Sequence, residues 1–184
     1  MSSFEVNQPI LNSPYDEPAE HWYIEEGLQP ERRKGRRKAG YFYRDPKAPS
    51  SDVIQEARGM WLELALVNQI RALVKEWRTL ALRGEGGVTR TTQELLNYWR
   101  RDGRQHRLFF AQLEAAETII FLKEARGDFL QGIDIPVDNV SEERKAEGFS
   151  AFQRYACKMA TGSGKTTVMG MLAAWSILNK INDR

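Results

Sequence analysis

The segment Met159-Ala160-Thr161-Gly162-Ser163-Gly164-Lys165-Thr166 constrains this chain more than any other. Two glycines this close resist the interior of a helix or a strand, yet a long apolar run follows them at once. Arg154 to Met159 has the length and apolar content of a short buried strand, and Thr166 to Lys180 reads as a helix. Strand, glycine loop, Lys-Thr and helix in that order are the context that a phosphate-binding loop requires. Gly162 and Gly164 let the backbone curl so that successive N–H groups face one concavity, which the helix N-terminus makes more electropositive. Thr161, Gly162, Ser163, Gly164, Lys165, Thr166 and Thr167 are therefore the expected ATP-binding residues. Lys165 is expected to reach the β- and γ-phosphates, and the Thr166 hydroxyl to bind the Mg²⁺ that bridges them. Met159 stands where the strict pattern has its first glycine, but the close approach to phosphate is made by the later two.

Charge is unevenly distributed. Residues 1–30 contain no Lys or Arg, and Arg32, Arg33, Lys34, Arg36, Arg37 and Lys38 follow directly. Pro9, Pro14, Pro18 and Pro30 suggest an extended, loosely ordered N-terminal segment over residues 1–50. Arg32, Arg33, Arg36 and Arg37 are candidate contacts to nucleic-acid phosphates, with a solvated linker as the other reading. The net charge of +2 carries no argument for nucleic acid by itself.

After Pro49-Ser50-Ser51-Asp52, which offers a cap, apolar residues recur at helical spacing from Val53 through Met60, Leu64, Val67, Val74, Trp77 and Ala81. One long amphipathic helix ending near Gly84 is expected. A shorter helix over Thr91 to Arg101, with Leu95, Leu96 and Trp99 inward, and a third from about Leu108 to Ala125 follow. The expected divisions are the N-terminal segment, a helical region over 51–105, and an ATP-binding region over 106–184.

No apolar run approaches the roughly 20 residues that cross a bilayer, and the N-terminus lacks the pattern of a secretion signal. A cytoplasmic protein is expected. Cys157 is the single cysteine, which excludes an internal disulfide and a cysteine zinc site; its position on the expected strand suggests a small core residue. His21 and His106 are isolated. Asp138 with Glu143-Arg144-Lys145 has the letters of a metal-dependent nuclease motif, but Ser141 to Glu147 reads as a solvated turn or short helix.

The glycine loop resembles motif I of superfamily-two helicases. The longer phrase from Tyr155 to Met169 resembles the Res subunit of type III restriction enzymes and related DEAD/DEAH-type proteins. Upstream, Arg107 to Leu122 is similar to the adenine-reading Q-motif region of that family. The resemblance implies that the Gln112 amide bonds to the adenine edge, with Phe109 or Phe110 stacked nearby. Asn12 to Trp22 also looks like the opening phrase of Res-like proteins. The implied fold class is α/β: a mainly helical N-terminal extension, then the first strand, phosphate loop and helix of a RecA-like domain. The implied function is that of a DNA helicase or translocase using ATP and Mg²⁺, with DNA and a modification methyltransferase subunit as partners. Another superfamily-two helicase, or a non-catalytic nucleotide-binding remnant, are the alternatives.

The family's second acidic motif, which completes Mg²⁺ binding and positions water, is missing from the sequence. Asp16-Glu17 lies between prolines and Glu142-Glu143 in a polar run, so neither ends an apolar strand. The second motor lobe is not present either. The chain as given is expected to bind ATP weakly and not to hydrolyse it, behaving as a truncated fragment.

Overall fold

The computed structural model describes residues 6–24, 28–43 and 60–182. The chain divides into two compact units, Met1–Ala72 and Leu73–Arg184, and each is described separately. The cap sought in Pro49 to Asp52 and the start of the long expected helix lie outside the described residues.

The first unit contains two antiparallel hairpins. Strand β1 (Glu20–Tyr23) pairs with β2 (Glu31–Lys34), placing Trp22 opposite Arg32 and His21 opposite Arg33. Within the segment expected to be extended, Glu20–Tyr23 and Glu31–Lys34 are paired strands, and a side chain braces the run before them. The Asn12 carboxamide accepts from the N–H groups of Ala19 (2.9 Å) and Glu20 (3.2 Å) and donates to the Glu20 carbonyl (2.8 Å), so the run before β1 is tied to the strand. Strand β3 (Gly40–Tyr43) pairs with β4 (Met60–Glu63), with Phe42 opposite Trp61. Residues 60–63 are therefore strand where a helix is expected. Their backbone groups have β3 as a partner, and helix propensity is weak beside tertiary pairing. Helix α1 (Ala65–Ala81) begins only after this strand. Asn68 in its first turn accepts from the Ala39 N–H (2.8 Å) and donates to the Ala39 carbonyl (3.2 Å), fixing the chain ahead of β3.

The second unit is built on helices. α1 contributes its residues from Leu73 onward, followed by α2 (Arg90–Arg100), α3 (Phe110–Glu124) and α5 (Lys165–Asn182). Between α3 and α5 lie strand β5 (Val137–Asp138), the short helix α4 (Glu142–Ala146) and strand β6 (Phe152–Gln153), with β5 and β6 antiparallel. Val74, Trp77 and Ala81 of α1, Leu96 and Trp99 of α2, Leu113, Ala116, Ile120 and Phe121 of α3, and Val168 and Met171 of α5 are buried. Trp77 meets Phe121 edge to face with centroids 5.5 Å apart, and its indole N–H donates to the Gly86 carbonyl (2.9 Å).

Two polar knots complete this packing. Glu117 of α3 is 1% exposed and accepts from Arg78 of α1 (2.6 Å) and from Nε of Arg100 of α2 (2.9 Å), with a second bond from Arg100. Farther along α3, Glu124 accepts from the Thr92 hydroxyl (2.8 Å), the Trp175 indole N–H (2.7 Å) and the Thr89 N–H (3.3 Å). Asn179 donates to the Thr92 oxygen (3.0 Å), so α2, α3 and α5 meet around Thr92, which is fully buried. Thr89 also caps α2 by accepting from the Thr92 N–H (3.0 Å).

The buried strand expected from Arg154 to Met159 is not formed. These residues have no strand partner, and Ala156, Cys157 and Lys158 are exposed. A parallel strand needs hydrogen-bonded neighbours, and the sheets among the described residues are two-stranded and antiparallel. The described architecture is mixed helix with small antiparallel sheets. Part of α5 stays bare as well: Met169, Ile177 and Ile181 are 70%, 57% and 59% exposed.

Glu117→Ala would leave two guanidinium groups, each about a quarter exposed or less, without their carboxylate. The loss expected from removing one partner of a buried ion pair is about 3–5 kcal/mol. Urea unfolding should show it as a lower midpoint with an unchanged slope; a loss below about 1 kcal/mol would contradict this account.

Candidate nucleotide-binding site

Residues 160–164 form a tight turn ahead of α5. Gly162 and Gly164 take φ values of +78° and +83°, a region that side chains with a Cβ rarely adopt. Within the turn, the Ser163 N–H and hydroxyl both donate to the Ala160 carbonyl (3.3 and 2.6 Å). The Val168 N–H donates to the Gly164 carbonyl (3.3 Å). The N–H groups of Lys165, Thr166 and Thr167 come before this bond, at the end of an 18-residue helix where intrahelical partners are lacking. All three residues are exposed. The helix end, the two hydroxyls and the ammonium group form a donor set suited to an anionic oxygen cluster. A Thr166 hydroxyl in this position suits a hard cation bound to that cluster. The Lys165 ammonium donates to the carbonyls of Met159 (3.3 Å) and Ala160 (3.0 Å), so it closes the loop on itself and must turn from them to meet a terminal phosphate.

Gln112 and the glycine loop, separated by 51 residues in sequence, meet in space: the Gln112 amide N–H donates to the Ser163 carbonyl (3.2 Å). Its carboxamide oxygen accepts from the Phe109 N–H (2.9 Å), forming half of a capping box at the start of α3. Gln112 is buried. The expected reader of an adenine edge thus has one protein bond at each end of its amide. Each end keeps a second bonding position, since the oxygen has another lone pair and the nitrogen another hydrogen. A Cβ at Gly164 would run into the Gln112 amide nitrogen, so Gln112 would have to move and give up its bond to the Ser163 carbonyl. At Gly162 a Cβ would meet nothing within 4 Å. Phe109 and Phe110 are part-buried beside this helix start, and the Arg78 guanidinium lies 5.7 Å from the Phe110 ring centroid.

Other candidates fall into place separately. Arg32 pairs with Glu20, and Arg33 with Glu31 (2.8 Å), while the Arg33 guanidinium stacks 3.5 Å from the Tyr23 ring centroid. Arg36 and Arg37 line a cleft of about 340 Å³ with Pro9, Leu11, His21 and Trp22. Asp138 pairs with Arg154 (2.7 Å), and Lys145 with Glu142 (2.6 Å), so two of the nuclease-like letters, Asp138 and Lys145, are used in surface ion pairs. Among the described residues no group of three or more His, Cys, Asp or Glu side chains could hold a metal ion. Cys157 is exposed rather than a core residue, and the desolvation it does experience raises its thiol pKa, opposite to the shift that activates a cysteine nucleophile. Sequence reasoning missed Glu117, Glu124 and Tyr98. Only the Thr89-Thr92 spacing at the start of α2 carries a visible signal, as a capping pattern.

Comparison of the chain with protein-family models, with curated proteins and with solved structures returns no match. The contact between Gln112 and Gly164 can be tested by itself. Ala at 162 and at 164 share the backbone strain of a left-handed residue, on the order of 1–2 kcal/mol, but only Gly164→Ala also collides with Gln112. Unfolding measurements should find Gly164→Ala the more destabilising, and Gln112→Ala in the same chain should remove the excess. Equal losses at both glycines would contradict the contact.

Proposed function

We propose that the second unit binds ATP with Mg²⁺ through the glycine loop and the start of α5, as the opening part of a RecA-like α/β motor. The bond from Gln112 to the Ser163 carbonyl carries this reading, because it joins the two segments that resemble helicase motifs at the end of a long helix. Their meeting supports one site. In this reading Thr161 to Thr167 cradle the phosphates, Lys165 neutralises the terminal one, Thr166 holds the metal and Gln112 stands at the adenine side.

The resemblance to type III restriction Res subunits extends the proposal to a DNA helicase or translocase, acting in the cytoplasm with a modification methyltransferase subunit. Among the described residues no helix is long and apolar enough to cross a membrane. Arg32, Arg33, Arg36 and Arg37 are proposed contacts to DNA phosphates. Turnover needs an acidic motif beside the metal, and Glu142 on exposed α4 is already paired with Lys145. For this chain we propose binding, and we assign hydrolysis to a motor that also carries that motif.

Calorimetric titration with MgATP checks the phosphate reading: Lys165→Ala should lower affinity at least ten-fold, and unchanged affinity would remove the loop from consideration. Gln112→Ala should weaken ATP more than a pyrimidine nucleotide, by about 1–3 kcal/mol. Equal losses for every nucleotide would make Gln112 a support of the loop and not a reader of the base. For the first unit, replacing Arg32, Arg33, Arg36 and Arg37 together by Gln should lower DNA affinity and flatten its salt dependence. An unchanged slope would return this run to a surface held by its own acidic neighbours.

A further inference from the structure

Several arginines of the second unit meet carboxylates: Arg78 and Arg100 at Glu117, Arg90 at Glu94, Arg126 at Asp128 and Arg154 at Asp138. Arg101 and Arg104 have no such partner among the described residues and sit around one exposed ring. Tyr98, on the last turn of α2, is 53% exposed. The Arg101 guanidinium carbon lies 3.7 Å from its ring centroid and that of Arg104 lies 5.8 Å away. Two backbone bonds hold them: Arg101 Nη1 donates to the Tyr98 carbonyl (2.7 Å), and Arg104 Nε to the His106 carbonyl (2.8 Å). Between them Gly103 turns the chain at φ +70°, with open space around it.

Two like charges beside one ring repel, and the arrangement contains a second cost. Arg104 Nη1 is shielded from solvent and has no hydrogen-bond acceptor. A guanidinium N–H left in that state is unfavourable, and an anionic oxygen drawing the group outward would relieve both costs. The Arg101 guanidinium lies over the Tyr98 ring, and the part of this half-exposed ring that the arginines leave uncovered is a stacking surface for a planar base. Phosphate and base contacts together are what a flexible single strand offers, since the bases of a duplex are stacked inside.

We infer that Tyr98, Arg101 and Arg104 at the turn between α2 and α3 form a contact site for single-stranded nucleic acid, with a base on the tyrosine and phosphates on the arginines. The site uses no residue of the glycine loop and extends the proposed function by naming the strand state of its nucleic acid.

The test is fluorescence anisotropy of the full chain with a labelled oligothymidylate and a duplex of equal length, without nucleotide, so that the ATP reading and this one fail separately. Arg32, Arg33, Arg36 and Arg37 are replaced by Gln in every sample, which removes the first unit's proposed contribution. The single strand should bind more tightly than the duplex. Tyr98→Ala should weaken it roughly ten-fold and Tyr98→Phe much less, as expected for stacking. Arg101→Gln with Arg104→Gln should flatten the salt dependence. Circular dichroism confirms that each variant keeps its helices. Binding unaffected by Tyr98→Ala, or duplex bound more tightly than single strand, would overturn the inference.

Discussion

A buried carboxylate sets the geometry of the second unit. Glu117 stands near the middle of α3, and its two oxygens are occupied by guanidinium groups from α1 and α2. Three separate helices are thereby brought to one point, and the surrounding Trp77, Phe121 and Ile120 are fully buried. Apolar side chains interlock and limit sliding of one helix on another, but they set no directional bond. The Glu117 ion pairs add that direction, because a carboxylate removed from water has to keep its partners. The position of α3 follows from that requirement.

With α3 fixed, its two ends locate α5. Gln112 in the first turn bonds to the Ser163 carbonyl before α5, and Glu124 in the last turn bonds to the Trp175 indole N–H within it. Gln112 and Glu124 are twelve residues apart, and so are Ser163 and Trp175. The two helices therefore run side by side in the same direction, with attachments separated by roughly 18 Å at 1.5 Å of rise per residue. The donor end of α5 is held while its first three residues stay exposed. This combination of a fixed backbone and an open donor set is the physical basis of the ATP-binding proposal.

The helices were largely legible in the sequence. Leu96, Trp99, Val74, Trp77 and Ala81 follow the 3.6-residue period and are buried, and α2, α3 and α5 lie within two residues of their expected limits. The period misleads at residues 60–63, where strand pairing with Gly40–Tyr43 takes over. It also says nothing of the missing strand partner for residues 154–159, because pairing depends on what the rest of the chain supplies. The glycine loop was readable because left-handed turns demand glycine locally. Glu117, Glu124 and Tyr98 were not, since a charged or aromatic residue on a helix acquires its meaning from neighbours on other helices. Gln112 is a third case: the sequence offers it as a reader of adenine, but its capping of α3 and its bond to the loop depend on contacts the sequence does not display.

The central claim is that the loop held by Gln112 receives the phosphates of ATP. Hydrogen–deuterium exchange on the full chain, with MgATP and with Mg²⁺ alone, locates the contact without requiring turnover. The account predicts slower exchange at the N–H groups of residues 161–167 and at the start of α3, absent in Lys165→Ala. Unchanged exchange over both segments at saturating MgATP, or the same protection in Lys165→Ala, would contradict it.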